Sequence, residues 1–344
     1  MTNPEPPLGQ DLWPETRTGA GAEVRRRREV VADGVTDDQI RRLCTGGSWR
    51  RVRRGTYADE TAFAHLDATA RHRTLIAAAL PDLTDEAVLS HQSAAVVYGA
   101  PVWGALLDRV CVTRNRRNGG RIKPHLKVHC APLGGVAELH GMLLTTPART
   151  VVDVARTVPF EAAVVIADAL AREFGITPTD LAIELEAARY RRGVGLARRV
   201  AAFLDPHSES VGESRSRVML RRLGFPAPST QGEVYSEEGR LLGRVDFYYD
   251  GTGVVGEFDG RVKYGRLLRP DQDPGDAVFV EKKREDALRA NGYRVVRWTW
   301  DELPTGEVAP RLHRALARAH GDGPEGFVLQ ADLPEPRRLT IRPF

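Results

Sequence analysis

The sequence has little cysteine and no long apolar run. Its three cysteines, Cys44, Cys111 and Cys130, are odd in number and widely spaced, which favours reduced thiols in a cytoplasm over a disulfide framework or a metal cluster. No stretch approaches the roughly 20 apolar residues that a membrane-spanning helix needs, so we expect no membrane contact. Residues 1–10 are proline-rich without an apolar core, so we expect no signal peptide. We therefore expect a cytoplasmic protein.

Positive charge is concentrated near the N-terminus, although the net charge is only +4. Between residues 25 and 54, ten arginines stand against four acidic residues. Arginine suits bidentate contacts to phosphate and guanine, so this stretch predicts nucleic-acid binding, with double-stranded DNA as the expected partner. A solvated basic face is the alternative.

Composition divides the chain into five segments, because 344 residues exceed one typical domain. Residues 1–22 are rich in Pro, Gly, Thr and Glu, which predicts a disordered tail. Residues 23–60 predict a small basic unit, and residues 61–204 a weakly charged α/β domain. A second α/β domain, a mixed sheet flanked by helices, is expected over residues 205–320, and a tail with little core over residues 321–344.

Residues 23–60 predict two helices followed by a basic hairpin. The first helix is expected over residues 24–32. The second, over residues 37–44, is capped by Thr36, with Gln39 completing a capping box. Residues 49–57 offer a strand, a glycine turn and a returning strand. This order is typical of a winged helix-turn-helix, and the side chains expected to contact DNA are Arg41, Arg42, Arg50, Arg51, Arg53 and Arg54.

A second hairpin is predicted in the last third of the chain. Two apolar strands, residues 241–249 and 254–260, flank the turn Asp250-Gly251-Thr252-Gly253. If the loop has these four residues, Tyr249 pairs with Val254. A two-residue loop would shift the register, so the pairing depends on this length.

The predicted register places acidic side chains together. Asp246 lies opposite Glu257, and Asp259 shares the face of Glu257 two residues further along. Like charges opposite each other destabilise a sheet, whereas a divalent cation would stabilise them, because Mg²⁺ or Mn²⁺ prefers oxygen ligands. The alternative is an exposed hairpin face with solvated acids, but the apolar neighbours in both strands favour a covered sheet.

Two further residues extend this set. Glu213 lies in the opening turn of the domain's first helix, where a carboxylate also stabilises the helix dipole without any other role. Lys263 follows the hairpin, and a lysine near a metal can orient water and stabilise a pentacoordinate phosphorane. Residues 281–289 predict a charged helix whose Lys282 and Lys283 belong to a solvated face.

The order of these elements resembles the PD-(D/E)xK nuclease superfamily, specifically its very-short-patch-repair-like branch. The resemblance covers residues 205–318 and implies a restriction-endonuclease-like fold. It implies a catalytic set of Glu213, Asp246, Glu257, Asp259 and Lys263, in which Asp246 and Glu257 hold Mg²⁺ and Glu213 assists. The superfamily has a lysine two residues after the glutamate, where this chain has Asp259. Either Lys263 substitutes for that lysine, or the domain binds nucleic acid without cleaving it.

The preceding region, residues 23 to about 200, resembles the abortive-infection antitoxins of type IV toxin–antitoxin systems. The matching pieces are residues 34–57, the run Leu89-Ser90-His91-Gln92-Ser93-Ala94-Ala95 and residues 146–153. The resemblance implies a winged helix followed by an α/β domain, promoter DNA binding with autoregulation, and a cognate toxin; a homodimer is a further expectation. We expect His91 to be a structural first-turn residue, and Arg149 and Asp153 to form an ion pair.

Two functional classes remain open. The first is a DNA-acting enzyme in phage defence, toxin–antitoxin biology or DNA processing, in which the winged helix delivers a Mg²⁺-dependent endonuclease domain to DNA. The second is a catalytically inactive, antitoxin-like transcriptional regulator that uses the nuclease fold only for binding. The feature that separates these two classes is the lysine expected two residues after Glu257, because an intact E-x-K motif would have favoured the enzyme.

Overall fold

A computed structural model describes residues 21–84, 86–260, 274–320, 324 and 326–344, with side chains described for all of these but 274–281 and 320. The chain is a mixed α/β protein with two compact units. The first unit comprises the described residues up to 203 together with 337–344, and the second comprises the described residues between 204 and 336. Most of the tail expected over residues 1–22, and the candidate Lys263, lie outside the described residues. None of the described helices is long and apolar enough to cross a membrane.

The regular elements follow in chain order. Those up to residue 203 are β1 (Arg25–Arg26), α1 (Arg27–Ala32), α2 (Asp37–Thr45), β2 (Trp49–Arg53), β3 (Thr56–Asp59), α3 (Glu60–Ala64), α4 (Ala68–Ala79), β4 (Ala87–Leu89), α5 (His91–Val97), β5 (Val110–Arg114), β6 (Arg121–Lys123), β7 (Leu126–Cys130), β8 (Gly135–Leu139), β9 (Met142–Thr145), α6 (Pro147–Ala155), α7 (Phe160–Phe174), α8 (Pro178–Ala187) and α9 (Val194–Ala201). The remainder are α10 (Val211–Arg222), β10 (Ser229–Ser236), β11 (Leu241–Tyr249), β12 (Val254–Asp259), α11 (Pro274–Ala290), β13 (Arg294–Thr299), α12 (Glu302–Thr305), α13 (Ala309–Ala317), β14 (Gly326–Gln330) and β15 (Thr340–Pro343).

Strands β1, β3 and β2 form a small antiparallel sheet in that order, next to α1 and α2. The helix predicted over residues 24–32 begins later than expected, because Arg25 and Arg26 form β1 and the helix begins at Arg27. Pairing with β3 satisfies the backbone groups of β1, and local helix propensity does not reveal such a partner. The predicted capping box at the start of α2 is confirmed, since Thr36 and Gln39 bond reciprocally.

The other sheet of the first unit has seven strands in the order β15-β8-β9-β4-β5-β7-β6. Helices α6 and α7 are largely buried, which agrees with their alanine- and valine-rich sequences. The predicted ion pair is confirmed, because Arg149 Nε lies 2.7 Å from Asp153 Oδ2 within α6. Arg156 also pairs with Asp153 at 3.0 Å, so two guanidinium groups neutralise this buried carboxylate.

The second unit is built around five strands in the order β13-β12-β11-β10-β14. Strands β10, β11 and β12 form an antiparallel meander, α11 follows, and β13 then lies parallel to β12. The register predicted for the hairpin is confirmed, since Tyr249 pairs with Val254 and Phe247 with Gly256. Continuing this register by one residue sets Asp246 opposite Glu257.

Apolar side chains cover both faces of this sheet. On one face, Phe247 and Trp298 belong to a cluster completed by α10, α12 and α13. On the other, Val255 belongs to a cluster completed by Leu288 of α11. Burial of both faces explains why β11 and β12 are apolar, and it makes a carboxylate in either strand costly unless it has partners.

The segment after residue 320, expected to be a tail, contributes a strand to each unit. Strand β14 pairs with β10, and β15 pairs with β8. Both occupy sheet edges, and main-chain pairing joins each to its neighbouring strand. A tail composition rich in proline and arginine carries no signal for such pairing.

Candidate active site in the C-terminal unit

Asp246 lies near the middle of β11, partly buried beside β12. The backbone N–H of Phe258 donates to its Oδ2 at 2.7 Å. Its Oδ1 accepts no hydrogen bond from the described residues. One carboxylate oxygen is therefore fixed by the neighbouring strand, while the other is available.

Glu257 on β12 is 8% exposed and is held by two arginines. Arg284 of α11 donates from Nη2 to Oε1 at 2.7 Å, and Arg297 of β13 donates from Nε to Oε2 at 2.6 Å. Arg284 also donates to the carbonyl of Arg244 at 3.0 Å. The acidic side of the hairpin thus adjoins a pair of guanidinium groups from a helix and a neighbouring strand.

Glu213, in the first turn of α10, is also buried. Its Oε1 accepts from Ser210 Oγ at 2.7 Å, and its Oε2 accepts from the backbone N–H of Glu209 at 2.8 Å. Gln231 of β10 donates to the same Oε2 at 2.6 Å and has a φ of 53°, a left-handed conformation that costs a non-glycine residue on the order of 1–3 kcal/mol. Glu213 therefore bonds to the N-cap residue Ser210 in the first turn of its helix and also reaches the sheet.

The three carboxylates influence one another electrostatically. Burial and the negative charges of Glu213 and Glu257 raise the pKa of Asp246, the Phe258 N–H and Arg284 oppose them, and the net result is a pKa of about 7. Burial also raises the pKa of Glu213. Asp246 thus lies in a site short of positive charge, which is the condition that a bound cation would relieve.

The fit to a divalent cation differs among these residues. Asp246 fits, because one oxygen is available and the Phe258 N–H and Arg284 only partly compensate its ionised form. Both oxygens of Glu257 are already bonded to arginines. Within the described ranges, no group of three or more His, Cys, Asp or Glu side chains is arranged to hold a metal. Asp259, at the end of β12, is half-buried and pairs through its backbone with Thr299.

Close packing fixes the helix that carries Glu213. The backbone of Gly212 lies so near Phe258 that a Cβ there would be 1.9 Å from the Phe258 ring. Trp298, fully buried in β13, donates from Nε1 to Ser216 Oγ at 2.7 Å. Helix α10 is therefore anchored to β12 and β13, and the three acidic residues are brought together by packing of distant segments.

The residues that sequence reasoning did not single out are Arg284, Arg297 and Gln231. The charged helix over residues 281–289 and the strand after it were both recognised, but an arginine in such a helix is usually solvated. Only the parallel pairing of β13 with β12 reveals that Arg297 lies directly beside Glu257, in register with it.

The six arginines expected to contact DNA differ in how they are held. Arg51 and Arg54 are exposed, and neither side chain has a hydrogen-bond or ion-pair partner among the described residues. Arg42 donates to the carbonyl of Asp38 at 3.4 Å. The other three form ion pairs: Arg41–Asp38 at 2.8 Å, Arg50–Glu60 at 2.9 Å and Arg53–Asp82 at 2.7 Å.

His91 in the first unit is buried at the start of α5, as expected for a structural first-turn residue. It has a φ of 51° and stacks on His129, with ring centroids 3.7 Å apart. Burial lowers the pKa of His91 to about 3 and that of His129 to about 4, so both are neutral near pH 7.

Comparison with known proteins gives similarity without a function. No family model matches the chain. Similar proteins are an uncharacterized protein of Mycobacterium tuberculosis strain CDC 1551 / Oshkosh and one of strain ATCC 25618 / H37Rv, each 26% identical over 237 residues. The match covers 68% of this chain and 84% of each relative.

Proposed function

We propose that this protein binds double-stranded DNA and that its C-terminal unit cleaves phosphodiester bonds. The observation that carries the proposal is the meeting of Glu213, Asp246 and Glu257, from a helix and two strands, with a pKa near 7 at Asp246. The order helix, three antiparallel strands, helix and parallel strand supports a nuclease-type fold, because the PD-(D/E)xK resemblance implies that arrangement.

Each residue has a separate role in the proposed reaction. Asp246 would hold Mg²⁺ or Mn²⁺, with the charge of Glu213 favouring the cation, and the ion would supply Lewis-acid activation of water and of the phosphate when bound. Glu257 keeps the guanidinium groups of Arg284 and Arg297 beside the acidic residues. While still paired with Glu257, these two arginines would place positive charge beside the acidic residues, where the superfamily has its lysine.

Arg51 and Arg54 are the proposed DNA contacts of the N-terminal unit, which would act as a winged helix-turn-helix. Their side chains are exposed, and they lie on and just after β2, the first strand of the basic hairpin. The arginines already engaged in ion pairs would lose those partners on binding phosphate, so they contribute less. DNA binding by this hairpin is expected to depend on salt, because each phosphate contact releases counterions.

Cleavage of supercoiled plasmid with Mg²⁺ or Mn²⁺ tests the proposed site. We expect nicking by the wild-type protein, and its loss in Asp246→Ala. Asp250→Ala, in the exposed turn of the same hairpin, is the matched control and should cut normally. Arg284→Ala should lower the cleavage rate on the order of 100-fold with little change in DNA affinity, since the loss of one charged donor has that scale. Cleavage unchanged in Asp246→Ala would place the activity elsewhere.

DNA affinity measured against salt concentration tests the hairpin. In Arg51→Ala/Arg54→Ala, the slope of log affinity against log salt should fall by up to about two, because each phosphate contact contributes about 0.9. Arg116→Ala/Arg198→Ala removes two exposed arginines elsewhere in the first unit and should leave the slope unchanged. An unaltered slope in the first variant would exclude the hairpin as the contact.

A DNA-binding regulator without catalysis, antitoxin-like and working with a cognate toxin, is the second candidate. The observation that favours it is the occupation of both Glu257 oxygens by arginines, together with Asp259 where a lysine is expected. Persistent DNA binding, with no cleavage in either metal, would select this function over the nuclease.

A further inference from the structure

A cavity of about 760 Å³ lies beside β2 within the first unit. Its walls come from β2 and the turn after it, from α4, and from β5 to β7 of the seven-stranded sheet. The volume falls within the range of about 300–1,000 Å³ that is usual for small-molecule sites. None of the candidate active-site carboxylates Glu213, Asp246, Glu257 and Asp259 lines it, so the cavity is separate from that site.

The charge around this cavity is strongly positive. Its charged lining consists of one carboxylate, Asp82, and the cations Arg51, Arg53, Arg54, Arg114 and Lys123. Asp82 is neutralised within the protein, because Arg53 pairs with it at 2.7 Å. The other four cations of the lining have no ion-pair partner among the described residues.

Arg114 is the one arginine of this lining that has a buried donor without a partner among the described residues. Its Nε is buried and has no hydrogen-bond partner among the described residues. A buried donor left unsatisfied costs about 1–3 kcal/mol, and more when charged, so such groups call for an explanation. Because Nε is closed to solvent, it does not face the cavity, and Arg114 contributes to the lining through the charge of its guanidinium group.

Part of the cavity wall is apolar. Leu75, Leu83, Val112 and Leu126 all line it together with the cations. Inorganic phosphate alone would leave these side chains without a contact. The backbone of a DNA duplex is a convex surface and would reach the rim rather than these walls. The lining therefore matches a molecule with an anionic part and a compact apolar or planar part.

We propose that this cavity binds a nucleotide, with its phosphate near Arg54, Arg114 and Lys123 and its base against the leucine and valine side chains. Arg51 and Arg54 are shared with the proposed DNA-contacting hairpin, so bound nucleotide would compete with DNA for them. That consequence rests on the proposed DNA-binding role, whereas nucleotide binding itself does not.

Isothermal titration of the full chain with AMP and ATP, in EDTA and without DNA, tests the proposal. We expect both to bind, with affinity reduced at least tenfold in Lys123→Glu and in Arg114→Gln. Lys123 is exposed, so the first variant should fold even if the second does not. Arg121→Glu, on the same short strand but outside the cavity lining, is the matched control and should bind normally.

The choice of ligands separates the possible outcomes. Adenosine should bind at least tenfold more weakly than AMP, and pyrophosphate should also bind more weakly than AMP. Adenosine binding as tightly as AMP would contradict an anion site, and pyrophosphate binding as tightly would contradict a role for the apolar wall. No binding of AMP or ATP, or binding unaffected by Lys123→Glu, would overturn the proposal whatever the outcome of the DNA experiments.

Discussion

Asp246→Asn should stabilise the C-terminal unit, and the gain should grow with pH. Holding the carboxyl pKa at about 7 instead of 3.8 costs on the order of 4 kcal/mol once the group is ionised, because one pKa unit corresponds to about 1.4 kcal/mol. The folded-state pKa is raised, so the penalty is absent below pH 3.8, grows as the pH rises, and is complete above about pH 7. Asparagine keeps an oxygen for the Phe258 N–H and carries no charge.

Calorimetric unfolding of the full chain in EDTA, at pH 4.5 and pH 8, measures this effect. Allowing for relaxation around the site, we expect a gain in unfolding free energy of about 2–4 kcal/mol at pH 8 and of about 1 kcal/mol or less at pH 4.5. Asp250→Asn, in the exposed turn of the same hairpin, should change little at either pH. A gain that is equal at both pH values, or a loss at pH 8, would refute the reasoning.

Three further predictions concern stability. The pKa of His91 is lowered to about 3, so its neutral form stabilises the fold above pH 6.5, and this contribution is lost as the pH falls towards 3. In His91→Asn, the unfolding free energy should therefore fall less steeply with pH between those values. Gly212→Ala should cost about 1–3 kcal/mol in calorimetry and weaken cleavage, because its Cβ would overlap the Phe258 ring, and a wild-type melting temperature would contradict the packing. Arg149→Ala should cost about 3 kcal/mol in urea unfolding, since it removes one of two partners of buried Asp153, and a change below about 1 kcal/mol would show that the remaining partner suffices.

The stability prediction at Asp246 also bears on function. Sites that bind cations or substrates often retain charge repulsion that destabilises the free protein. If Mg²⁺ stabilises the wild-type protein and leaves Asp246→Asn unchanged, the same carboxylate accounts for both the instability and the metal affinity. Equal stabilisation of the two proteins by Mg²⁺ would place the cation elsewhere.

Local sequence signals were sufficient wherever an element is specified by its own residues. The capping box at Thr36 and the Asp/Gly turn after Tyr249 depend on neighbours a few residues away, and both were correctly predicted. The hairpin register followed from the turn length, because side chains alternate along a strand and one pairing fixes the rest. That register is what sets Asp246 opposite Glu257.

The tertiary structure decided what depends on distant segments. The positions of Arg284 and Arg297 beside Glu257, and the strands formed by Arg25–Arg26 and by the last residues, come from pairing and packing across the fold. Sequence alone therefore determined that Asp246 lies opposite Glu257, whereas packing of α10 against the sheet brings Glu213 to them. Only tertiary packing decided how their charge is balanced, because Coulomb energy depends on distance and burial, which the spacing along the chain does not specify.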